Sequence, residues 1–380
     1  MSAMRRYCII GPTHPFRGGI SHYMTLLAQH LAVDRDLLFI SFTRQYPGWL
    51  FPGNSDRDPS HEPLTFDAEY LLDPINPLSW RRTLKRVSNF QADVVVIPWW
   101  VPYWAPAWSI LGRRIQKLPD SPVLLFICHN VFPHERGRLD RVAAKAALSP
   151  GDGYIVHAAS DAQKLYDLFP DARVKVTPHP SYAGLVNVER SPLPVQLPSD
   201  RPLLLFCGFV RPYKGLDILL NALPMVLERK QVHLLIAGEF WQRSDVYQGQ
   251  IRELNLSDNV TVIDQYIPNE MLATCLDRAA VVVLPYRSAT QSGIVQIAFG
   301  LNTPVITTDV GGLSESVDDG ITGLVVPPED SESLAQAIIR FFEHNLGPEM
   351  VENIKADSDR FGWQPLIDKL EDLASPRTRE

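Results

Sequence analysis

The chain has 380 residues, of which 45% are hydrophobic and 21% charged, and a formal net charge of -7. At roughly 100–200 residues per domain this predicts two domains or one large α/β unit, and the ordinary apolar fraction argues against a disordered chain. The acidic balance argues against a nucleic-acid partner, and no run approaches the roughly 18 apolar residues of a membrane span.

The first strand is expected over Tyr7–Ile10, behind an N-terminal apolar stretch too short for a signal peptide. The loop Gly11–Ile20 carries the pair Gly18 and Gly19 and leads into a helix over Ile20–Leu31. Paired glycines let backbone approach a ligand, and the helix start offers free N–H groups to an anion; a plain tight βα turn is the alternative. A strand over Leu37–Phe42 precedes the long Pro/Gly/Asp-rich loop Pro47–Glu69, either a functional flap or a disordered segment. Asp34-Arg-Asp36 and Asp56-Arg-Asp58 have the spacing of a metal-binding DxD but lie in polar loops, so they read as solvated turns and no metal is expected.

The strand Val94–Ile97 runs into Trp99–Trp108, which holds four tryptophans and is followed by Arg113, Arg114 and Lys117. Two readings stand open: an aromatic surface beside cations for a membrane interface or a lipid-linked acceptor, or rings lining a cleft wall or packed under a helix. His129 closes the strand Val123–Cys128, and further strands are expected over Tyr154–Val156 and Val174–Val176. His157 and His179 read as structural, and His22 is left open.

In the second half, strands are expected over Leu203–Cys207, Val232–Ala237, Val260–Ile263, Val281–Leu284, Val305–Thr307 and Leu324–Val326. Helices are expected over Leu216–Leu227, Met271–Ala279, Gly293–Phe299 and Ser331–Phe342. Unbroken apolar strands alternating with amphipathic helices predict doubly wound parallel sheets. The fold class is therefore α/β, with two Rossmann-like domains facing across a cleft. The boundaries are 1–185 and 202–358, with a proline-rich linker over 186–201 and a terminal helix in 359–380 crossing back to the first domain.

Three loops of the second half carry chemistry. Gly208 ends a strand, and Arg211 and Lys214 follow before a helix beginning near Gly215. Two cations beside a helix start suit a diphosphate; a solvated basic loop is the alternative. Pro285–Gln291 leads to Ser292-Gly293 at a helix start, either a phosphate cradle or a capped turn. Gly311-Gly312 reads as another close-approach turn. Cys8, Cys128, Cys207 and Cys275 are far apart, with no zinc spacing and no CxxC, which suits thiols in a reducing, cytoplasmic compartment.

The ordered segments CGFVRPYKGLDILLNAL, IAGE, VTVIDQYIP, LPYRS…SGIVQIAFG, TDVGG…E and DGITGLVVPPED resemble the donor half of family 4 glycosyltransferases, which have the GT-B fold. The resemblance is close over residues 203–345 and in outline earlier, through PFRGGI and His129-Asn130. It implies retaining, metal-independent transfer of a hexose from a nucleotide-diphosphate sugar to a glycan or lipid-linked acceptor, with no further cofactor. Arg211 and Lys214 would bind the diphosphate and His129 would face the reacting sugar. Gly18, Gly19 and Gly208 would approach the donor, with Glu239 beside them. Tyr266 and Ile267 would hold the base through backbone, and Ser292, Gly293, Ile294 and Val295 a phosphate. The family places glutamates where this chain has Ser288 and Gln296; the first would meet sugar hydroxyls and the second ribose. Their loss leaves two alternatives open, a non-catalytic nucleotide-sugar-binding subunit or another GT-B sugar-nucleotide enzyme such as an epimerase or phosphorylase. The expected location is cytoplasmic, with peripheral contact to the inner membrane face through Trp99–Trp108 as an option.

Overall fold

The computed structural model describes residues 5–47, 53, 55–132, 139–241 and 244–375. Part of the expected 47–69 flap therefore lies outside the described residues. The chain divides into two compact units. Unit 1 comprises Met1–Pro59, Pro63–Pro178 and Gly362–Glu380, and unit 2 comprises Ser60–Glu62 and His179–Phe361.

Unit 1 runs β1 (Arg6–Ile10), α1 (Gly19–Leu31), β2 (Asp36–Phe42), β3 (Glu69–Leu72), α2 (Pro77–Phe90), β4 (Val94–Trp99), α3 (Ala105–Ile115), β5 (Val123–Cys128), α4 (Asp140–Leu148), β6 (Gly153–Val156), α5 (Ala159–Leu168) and β7 (Val174–Val176). Among the described residues these strands form one seven-stranded parallel sheet in the order β3-β2-β1-β4-β5-β6-β7. The order reverses between β1 and β4, so the loops at their carboxyl ends flank a crevice where ligands bind in such sheets.

Unit 2 runs β8 (Leu203–Cys207), α6 (Leu216–Leu227), β9 (His233–Ala237), α7 (Ser244–Glu253), β10 (Val260–Ile263), α8 (Asn269–Arg278), β11 (Ala279–Leu284), α9 (Gly293–Gly300), β12 (Val305–Thr308), β13 (Gly323–Val326), α10 (Ser331–Glu343) and α11 (Gly347–Ala356). Its six strands, again all parallel, lie in the order β10-β9-β8-β11-β12-β13. The reversal here falls between β8 and β11. β8 and β9 are buried along their whole length. Each fully buried aliphatic side chain in such a layer contributes about 1.5–3 kcal/mol.

The last helix, α12 (Gln364–Ala374), counts with unit 1. It buries Leu366, Ile367, Leu370 and Leu373, with Leu373 against Gly153 at the start of β6. Arg5 and Arg35 both hold Glu371, and the Arg173 guanidinium donates to the carbonyls of Asp372 and Leu373, groups a helix end otherwise leaves unpaired. The segment expected as the linker, 186–201, counts with unit 2. Arg190 pairs with Asp277 at 2.7 Å, and Thr274 Oγ1 donates to Ser191 O at 2.7 Å.

The membrane-surface reading of Trp99–Trp108 is corrected by burial. Trp99, Trp104 and Trp108 are enclosed in the unit 1 core. Helical spacing turns Trp104, Trp108, Leu111 and Ile115 to one side of α3, while Arg113 and Arg114 face outward. Trp104 stacks on Phe42 at 4.3 Å and on Trp108 at 5.0 Å. Trp100 is half-buried and donates its Nε1–H to Tyr46 Oη at 2.9 Å.

Candidate functional site

In unit 2 the chemically marked loops all leave the carboxyl edge beside the β8/β11 reversal. β8 ends at Cys207 and is followed by Gly208, whose φ of +97° is open to glycine at little cost. A Cβ there would lie 3.1 Å from Lys214 Nζ and 3.4 Å from Ile294 Cδ1. Gly208, Lys214 and the start of α9 therefore converge. Pro212–Lys214 form one turn of 3-10 helix, and Gly215 at φ +67° passes the chain into α6. A Cβ on Gly215 would sit 2.0 Å from Pro285 O, so only glycine lets this turn press against the β11–α9 loop.

Lys214 is only 8% exposed and lies over the Tyr286 ring at 5.3 Å. Arg211 is half-buried, with its guanidinium 5.4 Å from the Tyr213 ring and 5.3 Å from that of Trp241. The rings are cation–π partners that orient the two charges without neutralising them. Burial pushes the Tyr286 phenol above its ordinary pKa, so the ring stays neutral beneath Lys214.

Arg287, next to Ser288, is committed to two carboxylates: its guanidinium pairs with Asp217 at 2.6 Å and with Glu329 at 3.1 Å. Burial raises the Asp217 carboxyl, but Arg287 and local N–H groups outweigh it and hold the net pKa below the ordinary value. Pairing with Asp217 first, against desolvation, raises that of Arg287.

The β11–α9 loop is fixed from below by Thr307 and Thr308, whose hydroxyls donate to Leu284 O and Tyr286 O. Ser288 is half-buried. Ser292 precedes α9, and Gly293, Ile294 and Val295 form its first turn, where N–H groups lack helical acceptors. Gln296, one residue further, is 0% exposed, and neither its Oε1 nor its Nε2 has a hydrogen-bond partner. A buried amide left so costs about 1–3 kcal/mol per unmade bond.

Glu239 is buried after β9, and its carbonyl accepts from Val210 N–H at 2.9 Å. Beyond it, Phe209 packs against Trp241 at 4.6 Å and Tyr266 at 5.9 Å. Tyr266 is half-buried and Ile267 buried on the loop after β10. Trp241 and Tyr286 were not singled out from sequence. Nothing in their spacing marks them; they matter because the sheet brings three loops together.

Gly18, Gly19 and His129 belong to unit 1. Gly18, at φ +103°, precedes α1, with open space where a Cβ would stand, and Gly19 is the first residue of that helix. His129 follows β5, with its ring edge-on to Tyr23 at 4.6 Å and 5.7 Å from His157. His157 Nδ1 lies 3.0 Å from Thr177 O, in line with its structural reading. His22, left open in sequence, meets Asp58 at 3.4 Å. Asp58 is thus drawn inward rather than lying in a solvated turn. Among the described residues no three His, Cys, Asp or Glu side chains are grouped to hold a metal ion. No helix among them is long and apolar enough to cross a membrane.

Residues 201–344 match the family described as glycosyl transferases group 1. Among curated proteins, the chain is 26% identical over 258 residues to a D-inositol 3-phosphate glycosyltransferase of Saccharomonospora viridis, covering 63% of this chain and 59% of that one. It is 28% identical over 156 residues to an alpha-D-kanosaminyltransferase of Streptomyces kanamyceticus, covering 40% of each. The chain spans about half to six-tenths of the length of the first curated relatives it matches. Among solved structures, a sucrose-phosphate synthase from Thermosynechococcus elongatus superposes with a TM-score of 0.69 at 22% identity, over 97% of this chain and 98% of that one. An Anabaena protein solved in complex with UDP gives 0.70 at 15% identity, over 97% and 100%. These likenesses show the fold. Residues 201–344 are thus similar to the glycosyl transferases group 1 family, in a chain whose two-sheet α/β architecture is that of GT-B glycosyltransferases.

Proposed function

We propose that the protein is a retaining glycosyltransferase that moves a hexose from a nucleoside-diphosphate sugar to a glycan or lipid-linked acceptor without a metal ion. The observation that carries this reading is the convergence of Arg211, Lys214 and the first turn of α9 at the β8/β11 reversal. As the bond between sugar and diphosphate breaks, negative charge grows on the leaving phosphate. Two oriented cations and a row of helix N–H groups meet that charge without reorganising. Gln296 offers a donor and an acceptor to the donor's ribose hydroxyls, without a charge. The rings of Phe209, Trp241 and Tyr266 flank the place for the base. The described cysteines are buried and free, which supports a reducing compartment.

The neutral Ser288 and Gln296 favour a second reading, a subunit that binds the donor without turning it over. A panel of UDP-, GDP-, ADP- and dTDP-linked sugars separates the two by thermal shift and by slow nucleotide release. One donor that both stabilises and is slowly hydrolysed supports the enzyme. A donor that stabilises but never turns over, with sugar and lipid acceptors supplied, supports the binding subunit. Lys214→Ala or Arg211→Ala is expected to cost on the order of 10²–10³ in turnover with the fold kept. Near-full activity in either variant would sink the assignment.

A further inference from the structure

Arg287 reaches three loops at once. Its backbone N–H donates to Tyr213 O at 2.7 Å. Nη1 donates to Pro212 O and to Asp217 Oδ1, each at 2.8 Å. Nη2 donates to Asp217 Oδ2 at 2.6 Å, and Nε to Glu329 Oε1 at 3.1 Å. Pro212 and Tyr213 are the two residues between Arg211 and Lys214. Asp217 stands in the first turn of α6, and Glu329, at φ +60°, in the turn between β13 and α10.

We propose that Arg287 is a positioning residue that clamps the Pro212–Lys214 turn and so holds Arg211 and Lys214 at the spacing that grips a diphosphate. This rests on the donor reading above. The turn has little strength of its own. It closes through Lys214 N–H to Arg211 O at 2.9 Å and Gly215 N–H to Pro212 O at 3.2 Å, a short 3-10 geometry with poor hydrogen bonds. It also carries two like charges three residues apart, one of them nearly out of water. Repulsion and desolvation both favour splaying of the turn. Arg287 opposes this by taking the carbonyls between the two cations while its charge is balanced by Asp217 and Glu329. The planar fork matters, because a lysine at 287 keeps the charge but cannot hold Asp217 and Pro212 together.

The test begins with calorimetric titration of UDP, GDP, ADP and dTDP into the unaltered protein. If none binds, the donor reading fails and this inference falls with it. With a binding nucleotide in hand, Arg287→Gln is expected to weaken it by about 10–100-fold, since small misplacements of binding groups cost up to that order. Arg287→Lys falls between the two, and Glu329→Gln supplies a milder variant should Arg287→Gln fail to fold. A purely structural role is separated by a double-mutant cycle. Lys214→Ala in the Arg287→Gln background is expected to add little, because both remove the same grip. Unchanged affinity in Arg287→Gln, or full additivity with Lys214→Ala, overturns the proposal even where nucleotide binding by the unaltered protein stands.

Discussion

Gln296 sets stability against function at the scale of one side chain. Its amide is wholly buried with both polar atoms unmet. Gln296→Leu, of similar volume, removes that desolvation cost. It is expected to raise the thermal midpoint of the nucleotide-free protein, by about 1–3 kcal/mol of stability, while weakening nucleotide binding. Paired melting curves with and without nucleotide check both halves; a lower midpoint without nucleotide would show that the amide is satisfied after all. His179 gives a pH dependence. Burial lowers its pKa from 6.5 to about 4, against a smaller opposing hydrogen bond to Pro180 O. The folded value lies below the unfolded one, so the unfolded state binds the proton first. Stability is therefore lost as pH falls from about 6.5 toward 4, by roughly 3 kcal/mol in all. His179→Asn keeps a donor for Pro180 O and is expected to flatten that acid slope in denaturation curves taken at several pH values.

At the scale of elements, twelve of the thirteen strands among the described residues could be read from sequence, most of them as unbroken apolar runs, because strands covered on both faces leave an uninterrupted signal. The missed one, β3, is four residues at the sheet edge, with Tyr70 exposed, and carries no such run. Helix α6 was legible through Pro224, which lies inside it. The candidate site was less legible. Glycines and cations stand beside strand ends in the sequence, so Gly208, Arg211 and Lys214 were visible there. The rings that orient the two cations, Trp241 and Tyr286, come from separate loops that only the sheet order brings together. The tryptophan segment was ambiguous for a related reason: aromatic residues next to arginines describe a surface and a core equally well until the helix phase is known. Trp104→Ala leaves a cavity between Phe42 and Trp108 and is expected to cost about 3–5 kcal/mol, read from urea denaturation. A cost below about 1 kcal/mol would mean that the ring is not in the core.

At the scale of the molecule, the chain starts in unit 1, builds unit 2 and returns to unit 1 as α12. That return is held by Glu371, by Arg173 and by five buried apolar side chains. Deleting α12 is expected to lower the melting of unit 1 while leaving that of unit 2 in place, so that one calorimetric transition moves and the other stays. A single transition that shifts as a whole would contradict this. The same return has a consequence for synthesis on the ribosome. Unit 1 lacks its last helix until residue 374 has emerged, about 200 residues after β7 is complete. At roughly 5–20 residues per second, that is a wait on the order of ten to forty seconds. During that time the nascent chain carries an unfinished first unit while the second is being made. The half that begins first is completed last, and the exposed flank of β5 and β6 is the surface a chaperone would have to guard.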